Sequence, residues 1–200
     1  PSSSVRVPRG AEVIDLSGKV LMPGLVDTHS HLGQVSGGDG SAALHPAVRA
    51  LDGINIHDDS LWRARSGGLT TINVMPGSGH LMSGQTVYLK LRDQPTTIQD
   101  WLFCDDPTTD VCGSMKMANG TNSMRGKPFP GTRAKSAALV RARFQESLAY
   151  RDKHARATEK NPDKRDLDLE ALHQVLDNKP IDHHHTNPHH HHHTEKRNTK

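Results

Sequence analysis

Aromatic residues make up only 4% of this 200-residue chain, and the whole hydrophobic set only 33%. Leu, Ile, Val and Phe together number 39, just under a fifth of the residues. Such poverty signals disorder when it comes with a high net charge, and here the formal charge is only +3. The composition therefore predicts a folded chain with a thin core, one that needs support from a partner or a metal. No apolar run approaches the roughly 18 residues of a membrane-spanning helix, so no membrane association is expected. The opening residues, Pro1-Ser2-Ser3-Ser4-Val5-Arg6, lack the apolar core of a signal peptide, which points to a cytoplasmic protein. Lys and Arg are nearly balanced by Asp and Glu, 25 against 22, which argues against an electrostatic nucleic-acid binder. The only two cysteines, Cys104 and Cys112, match no zinc or redox spacing and are expected as a thiol pair in a reducing cytosol.

What the chain has in excess is histidine. There are 15, eight of them between His183 and His193. Along the chain, residues 11–22 read as two short strands around Ser17-Gly18-Lys19, and Leu25–His31 as an apolar strand with a polar end. Asp58 or Asp59 can cap a short helix that Gly67-Gly68 terminates, and the β-branched run 69–75 predicts a strand ending in the turn Pro76-Gly77-Ser78-Gly79. Thr132 can cap a long helix to about Lys160 with a stripe of Val140, Phe144 and Leu148. A second helix follows with Leu169, Leu172 and Leu176, and Ile181 opens a further strand. Strand and helix alternating in this way predict an α/β fold with a parallel sheet. Beyond Asp182 the chain has almost no apolar content.

His29-Ser30-His31 is the first candidate for chemistry. Alternate residues of a strand share a face, so the two imidazoles point together within reach of one ion. Imidazole suits zinc and its transition-metal neighbours, and ligands gather at the C-terminal ends of strands in parallel α/β folds. Ser36-Gly37-Gly38-Asp39-Gly40 lacks the Lys-Ser or Lys-Thr of a phosphate-binding loop and reads as a flexible loop, with Asp39 a weak ligand candidate. His80, after the Pro-Gly-Ser-Gly turn, can face a substrate. Arg125 and Arg133 flank a Pro-rich loop and can hold an anionic one.

The run Val20-Leu21-Met22-Pro23-Gly24-Leu25-Val26-Asp27-Thr28-His29-Ser30-His31-Leu32-Gly33 resembles the first barrel strand of the amidohydrolase superfamily. The resemblance continues in Gly67-Gly68-Leu69-Thr70-Thr71-Ile72, in Met75-Pro76-Gly77-Ser78-Gly79-His80 and in Lys116-Met117-Ala118-Asn119-Gly120-Thr121-Asn122. It implies a metal-dependent hydrolase on a (β/α)8, TIM-like barrel, using zinc, manganese or cobalt. His29 and His31 then match the metal ligands of strand one, with Asp27 orienting a histidine beside them. Lys116 is the candidate bridge of strand four, carboxylated in relatives, although Thr121 stands where relatives carry a Glu. His183 or His185 is the candidate ligand of strand five.

The resemblance covers about residues 11–185, strongly to residue 92. It supplies no counterpart of strands six to eight, with their histidine and general-base aspartate. A full barrel takes about 250 residues, so a partial, truncated barrel is expected. Its parts are 1–19 as a remnant of a small β-sandwich, 20–186 as the partial barrel, and 187–200 as a His-rich flexible tail. Half a barrel exposes sheet edges and an apolar face, which predicts a homo-oligomer, a dimer in which two chains complete each other. Two functions remain open. One is a hydrolase using metal-activated water on small molecules, activated esters such as phosphodiesters or phosphotriesters first, amides, other C–N bonds or lactones second. The other is a non-catalytic metal-binding fragment.

Overall fold

The computed structural model describes residues 6–34, 38–108, 111–126, 129–156 and 164–177. His183, His185 and the tail from 187 lie outside the described residues, as does the strand expected at Ile181. The N-terminal stretch corrects the first expectation. Residues 11–22 form no strand; instead Asp15 accepts the backbone N–H of Ser17 at 2.8 Å and Lys19 closes a turn onto the Leu16 carbonyl at 2.8 Å. A strand is stable only against a partner, and Val13, Ile14, Val20, Leu21 and Met22 face solvent.

Regular structure begins with β1, Leu25–Ser30, whose Leu25 donates to the Gly68 carbonyl. Gly24 just before it is required by a close approach, because a Cβ there would come within 2.2 Å of the Thr70 side chain. Helix α1, Asp59–Ser66, starts at Asp58, whose carboxylate accepts the Ser60 N–H, and stops at Gly67. It returns the chain to β2, Leu69–Val74, which pairs with β1 in parallel. This first unit follows the strand–helix–strand pattern read from the sequence.

The next strands depart from it. β3, Met82–Gln85, and β4, Val87–Lys90, are separated only by Thr86 and belong to different sheets. β4 runs antiparallel to β2, giving a sheet of order β1-β2-β4, while β3 pairs antiparallel with β5, Met115–Met117. A parallel partner for β2 needs a crossover of about a dozen residues or more, usually a helix. Residues 75–86 are spent instead on the Pro-Gly turn and β3. The fold is α/β, but its sheets are small and of mixed direction, and the described residues close no barrel.

The core lies under the first sheet. Ile72, Val74, Val87 and Leu89 are fully buried with Leu61 of α1 and Trp101, whose indole N–H donates to the Arg92 carbonyl. Each such aliphatic burial contributes about 1.5–3 kcal/mol. Cys104 and Cys112 form a disulfide with their Cα atoms 5.2 Å apart, which corrects the expected pair of free thiols. Cys112 belongs to the core, and its carbonyl accepts the Tyr88 N–H of β4.

Helices α2, Arg133–His154, and α3, Leu167–Leu176, pack on each other. Thr132 caps α2 as expected, but the helix ends at His154 and its inward face is Ser136, Ser147 and Tyr150, while Leu148 is exposed. Polar pairs explain the shift of face. Ser147 donates to the Leu169 carbonyl, Tyr150 to Glu170, and Arg143 to Asp168, whose other oxygen accepts the Ala47 N–H. Leu172 of the expected α3 stripe is fully buried, whereas Leu176 is 40% exposed. No helix among the described residues is long and apolar enough to cross a membrane.

Candidate active site

His29 is near the end of β1 and His31 just beyond it. Their ring centroids are 5.3 Å apart with the planes at 80°. Zn–N bonds of about 2.0–2.1 Å in tetrahedral geometry put the centroids of two imidazole ligands roughly 5 Å apart. The spacing therefore fits two histidines on one ion. The pair is also held in the sense such a site needs. Nδ1 of His31 lies 2.7 Å from the carbonyl oxygen of Met75, so that nitrogen carries the proton and Nε2 keeps its lone pair for a ligand. Gln34 donates to the same carbonyl at 2.6 Å.

Lys116 joins them from β5. Its Nζ lies 3.4 Å from Nε2 of His29 and 3.3 Å from Sδ of Met75. Two histidines and one lysine, separated by up to 87 residues, thus meet around Met75. As an ammonium, Lys116 donates to the lone pair of His29 that an ion would use. Ion binding at His29 therefore requires Lys116 to give up that contact or its charge.

Asp27 is placed beside the pair without touching a ring. Its carboxylate accepts the backbone N–H of His29 at 3.0 Å and so fixes the strand end rather than an imidazole. Asp39 stands apart, beside His45 at 3.9 Å, its pKa lowered chiefly by the Ser41 hydroxyl and backbone N–H. Among the described residues no group of three or more His, Cys, Asp or Glu side chains could hold a metal. An ion held by His29 and His31 would need its remaining donors from Lys116, water or groups outside the described residues.

His80 is 5% exposed and faces no open space. Its ring touches Phe129 at 5.3 Å and His45 at 5.8 Å between centroids, and neither ring nitrogen has a partner. Burial lowers its pKa, helped by the positive charge of Arg125 and by His45 and opposed by Asp39. A buried imidazole with no partner is held neutral by its surroundings. A cavity of about 290 Å³ opens next to the site, lined by Gln34, Asp39, Arg49 and Pro76 among others.

The sequence singled out His29, His31 and Lys116, and the structure brings them together. It did not reveal Met75 or Gln34, because a backbone carbonyl carries no side-chain signature, and it gave His45 no role.

Comparison with known proteins gives similarity in sequence and in fold. No family model matches the chain. A curated protein, Amidohydrolase tasK of Hapsidospora irregularis, is 30% identical over 132 residues, which is 60% of this chain and 13% of that protein. The crystal structure of an amidohydrolase from Thermotoga maritima MSB8 superposes with a TM-score of 0.77 at 31% identity, covering 88% of this chain and 48% of that one. In sequence and in fold the chain is therefore related to the amidohydrolases, and it spans about half the length of the solved one.

Proposed function

We propose that the chain supplies the first part of a metal-dependent hydrolase site, with His29 and His31 holding a divalent ion, zinc in the first place and manganese or cobalt as substitutes. The observation that carries this reading is the meeting of His29, His31 and Lys116 around the Met75 carbonyl. A bound divalent ion polarises a scissile oxygen and lowers the pKa of water to about 7. The protein's own share is positioning. Met75 fixes the His31 tautomer, Asp27 fixes the backbone of His29, and Lys116 offers a proton donor beside the His29 ring. His183 and His185 are the candidates for further ligands.

A single lysine donor and no described general-base carboxylate favour small substrates with good leaving groups. Phosphodiesters, phosphotriesters and other activated esters fit that requirement best. Amides, other C–N bonds and lactones form the alternative, and the names of the relatives favour the amide. The exposed apolar residues of β1, Leu25 and Val26, lie on a strand with one edge unpaired among the described residues, which supports a homodimer completing the sheet. The disulfide of Cys104 and Cys112 weighs against the cytoplasmic location expected from the sequence, which requires the pair to be reduced in the cell. Cys104–Cys112 found oxidised after rapid thiol trapping in cells would contradict it.

Turnover of a chromogenic phosphodiester and of a chromogenic anilide, with zinc, manganese or cobalt supplied, tests the proposal. Activity lost on chelation and in His29→Ala supports it, and the substrate turned over assigns the class. A second reading, metal binding without turnover, rests on the lack of a third described ligand. Metal bound with neither substrate cleaved would establish it instead.

A further inference from the structure

The loop that carries His31's acceptor continues into a cluster of hydrogen-bond donors. After Met75 come Ser78 and Gly79, and the segment after β5 reaches back to both. Asn122 donates to the Ser78 hydroxyl oxygen at 3.1 Å, and the Arg125 guanidinium donates to the Gly79 carbonyl. Arg125 is also stacked on Phe129, 4.2 Å from the ring centroid. These contacts fix the guanidinium while it stays exposed, and they use one of its five N–H groups. Among the described residues no carboxylate pairs with it. The segment itself is anchored to β3, with Ala118 donating to the Leu81 carbonyl and Ser123 to the Ala118 carbonyl. These two contacts bring three donor-bearing groups together, the Ser78 hydroxyl, the Asn122 amide and the Arg125 guanidinium. Asp39, which interacts electrostatically with His80, is turned onto the Ser41 N–H.

We propose that Ser78, Asn122 and Arg125 form an oxyanion-receiving rim of the candidate site, so that its substrate carries a carboxylate or phosphate group that this rim holds. The inference rests on the hydrolase reading for what the anion belongs to, but the rim itself binds without turnover. A guanidinium pre-set by stacking and one backbone bond loses little freedom on accepting an anion, and charge-assisted bonds of this kind are the strong ones. The unpartnered His80 ring, within electrostatic reach of Arg125, is the reporter. An anion on Arg125 screens the positive charge that disfavours imidazolium and raises the His80 pKa.

The test is a titration of the full chain with acetate, methyl phosphate and the neutral acetamide and trimethyl phosphate, read by NMR at the Arg125 Nε–H and the His80 ring. The anions should bind at least tenfold more tightly than their neutral counterparts and shift the His80 titration upward. Arg125→Gln should erase that preference, and His31→Ala should leave it within twofold even with turnover gone. Tighter acetate assigns a carboxylate and tighter methyl phosphate a phosphate. Equal binding of anion and neutral analogue in the wild-type chain overturns the proposal, as does an anion preference lost in His31→Ala but kept in Arg125→Gln. Neither outcome bears on whether the chain hydrolyses an ester, which the turnover assay decides separately.

Discussion

Nζ of Lys116 lies 3.4 Å from Nε2 of His29, 87 residues earlier in the chain. The contact joins the two sheets, because His29 belongs to β1 and Lys116 to β5, and it sets a proton donor beside the histidine pair. Lys116→Met removes the ammonium that reaches His29 and Met75 while keeping an unbranched apolar side chain. Turnover is expected to fall about a hundredfold, the lower range for loss of a general acid, with zinc still bound because removing the ammonium frees Nε2 of His29. Equilibrium dialysis alongside the rate assay separates the two quantities.

His80 makes stability pH-dependent. Its pKa in the folded chain lies below the ordinary 6.5, burial being the main cause and Arg125 the second. Unfolding releases it to the ordinary value, so in acid the unfolded chain binds a proton that the folded chain resists. Its contribution is therefore present above about pH 6.5 and lost as pH falls through the folded value. His80→Phe keeps a ring against Phe129 and His45 and removes the titration. The melting temperature of the variant should fall less steeply than that of the wild type between neutral pH and pH 5.

Gly113, just before β5, packs closely against Thr86, the residue between β3 and β4. A Cβ there would lie 2.2 Å from the Thr86 carbonyl oxygen, and the flanking Thr86 and Ser114 exchange backbone and side-chain hydrogen bonds. Gly113→Ala must push β5 away from β4, three residues before Lys116. A cost of about 1–3 kcal/mol is expected for such overpacking. In a chain of this size each kcal/mol lowers the melting temperature by about 2–4 °C. Calorimetry reads the loss, and activity should fall with it because Lys116 moves.

Reduction of Cys104–Cys112 opens an eight-residue link under the core. The chain-entropy relation puts its stabilisation at about 2–3 kcal/mol for so short a loop. A melting curve with and without reductant should show the difference, with the double substitution to Ser behaving like the reduced protein.

Much of this was legible in the sequence, for local reasons. The caps Asp58 and Thr132, the Gly67-Gly68 stop and the β-branched run of β2 mark their elements without help from the rest of the fold. His-x-His on a strand end gave the ligand pair, and the resemblance gave Lys116. The misses are tertiary. Antiparallel β4 depends on where a turn sends the chain, the inward face of α2 is chosen by Ser147, Tyr150 and Arg143 finding partners on α3, and residues 11–22 lack a partner strand. The cysteine pairing likewise followed from the path of a loop that carries no pattern of its own.

Bound zinc counted by mass spectrometry in the full-length chain, with His189–His193 replaced by Ser so that the tail binds none, tests the central claim most directly. The account predicts an ion in this background that is lost in His29→Ala and in His31→Ala and kept in His80→Phe. Chelation should also lower the melting temperature of the parent but not of the two site variants. An unchanged zinc count in both His29→Ala and His31→Ala would contradict it.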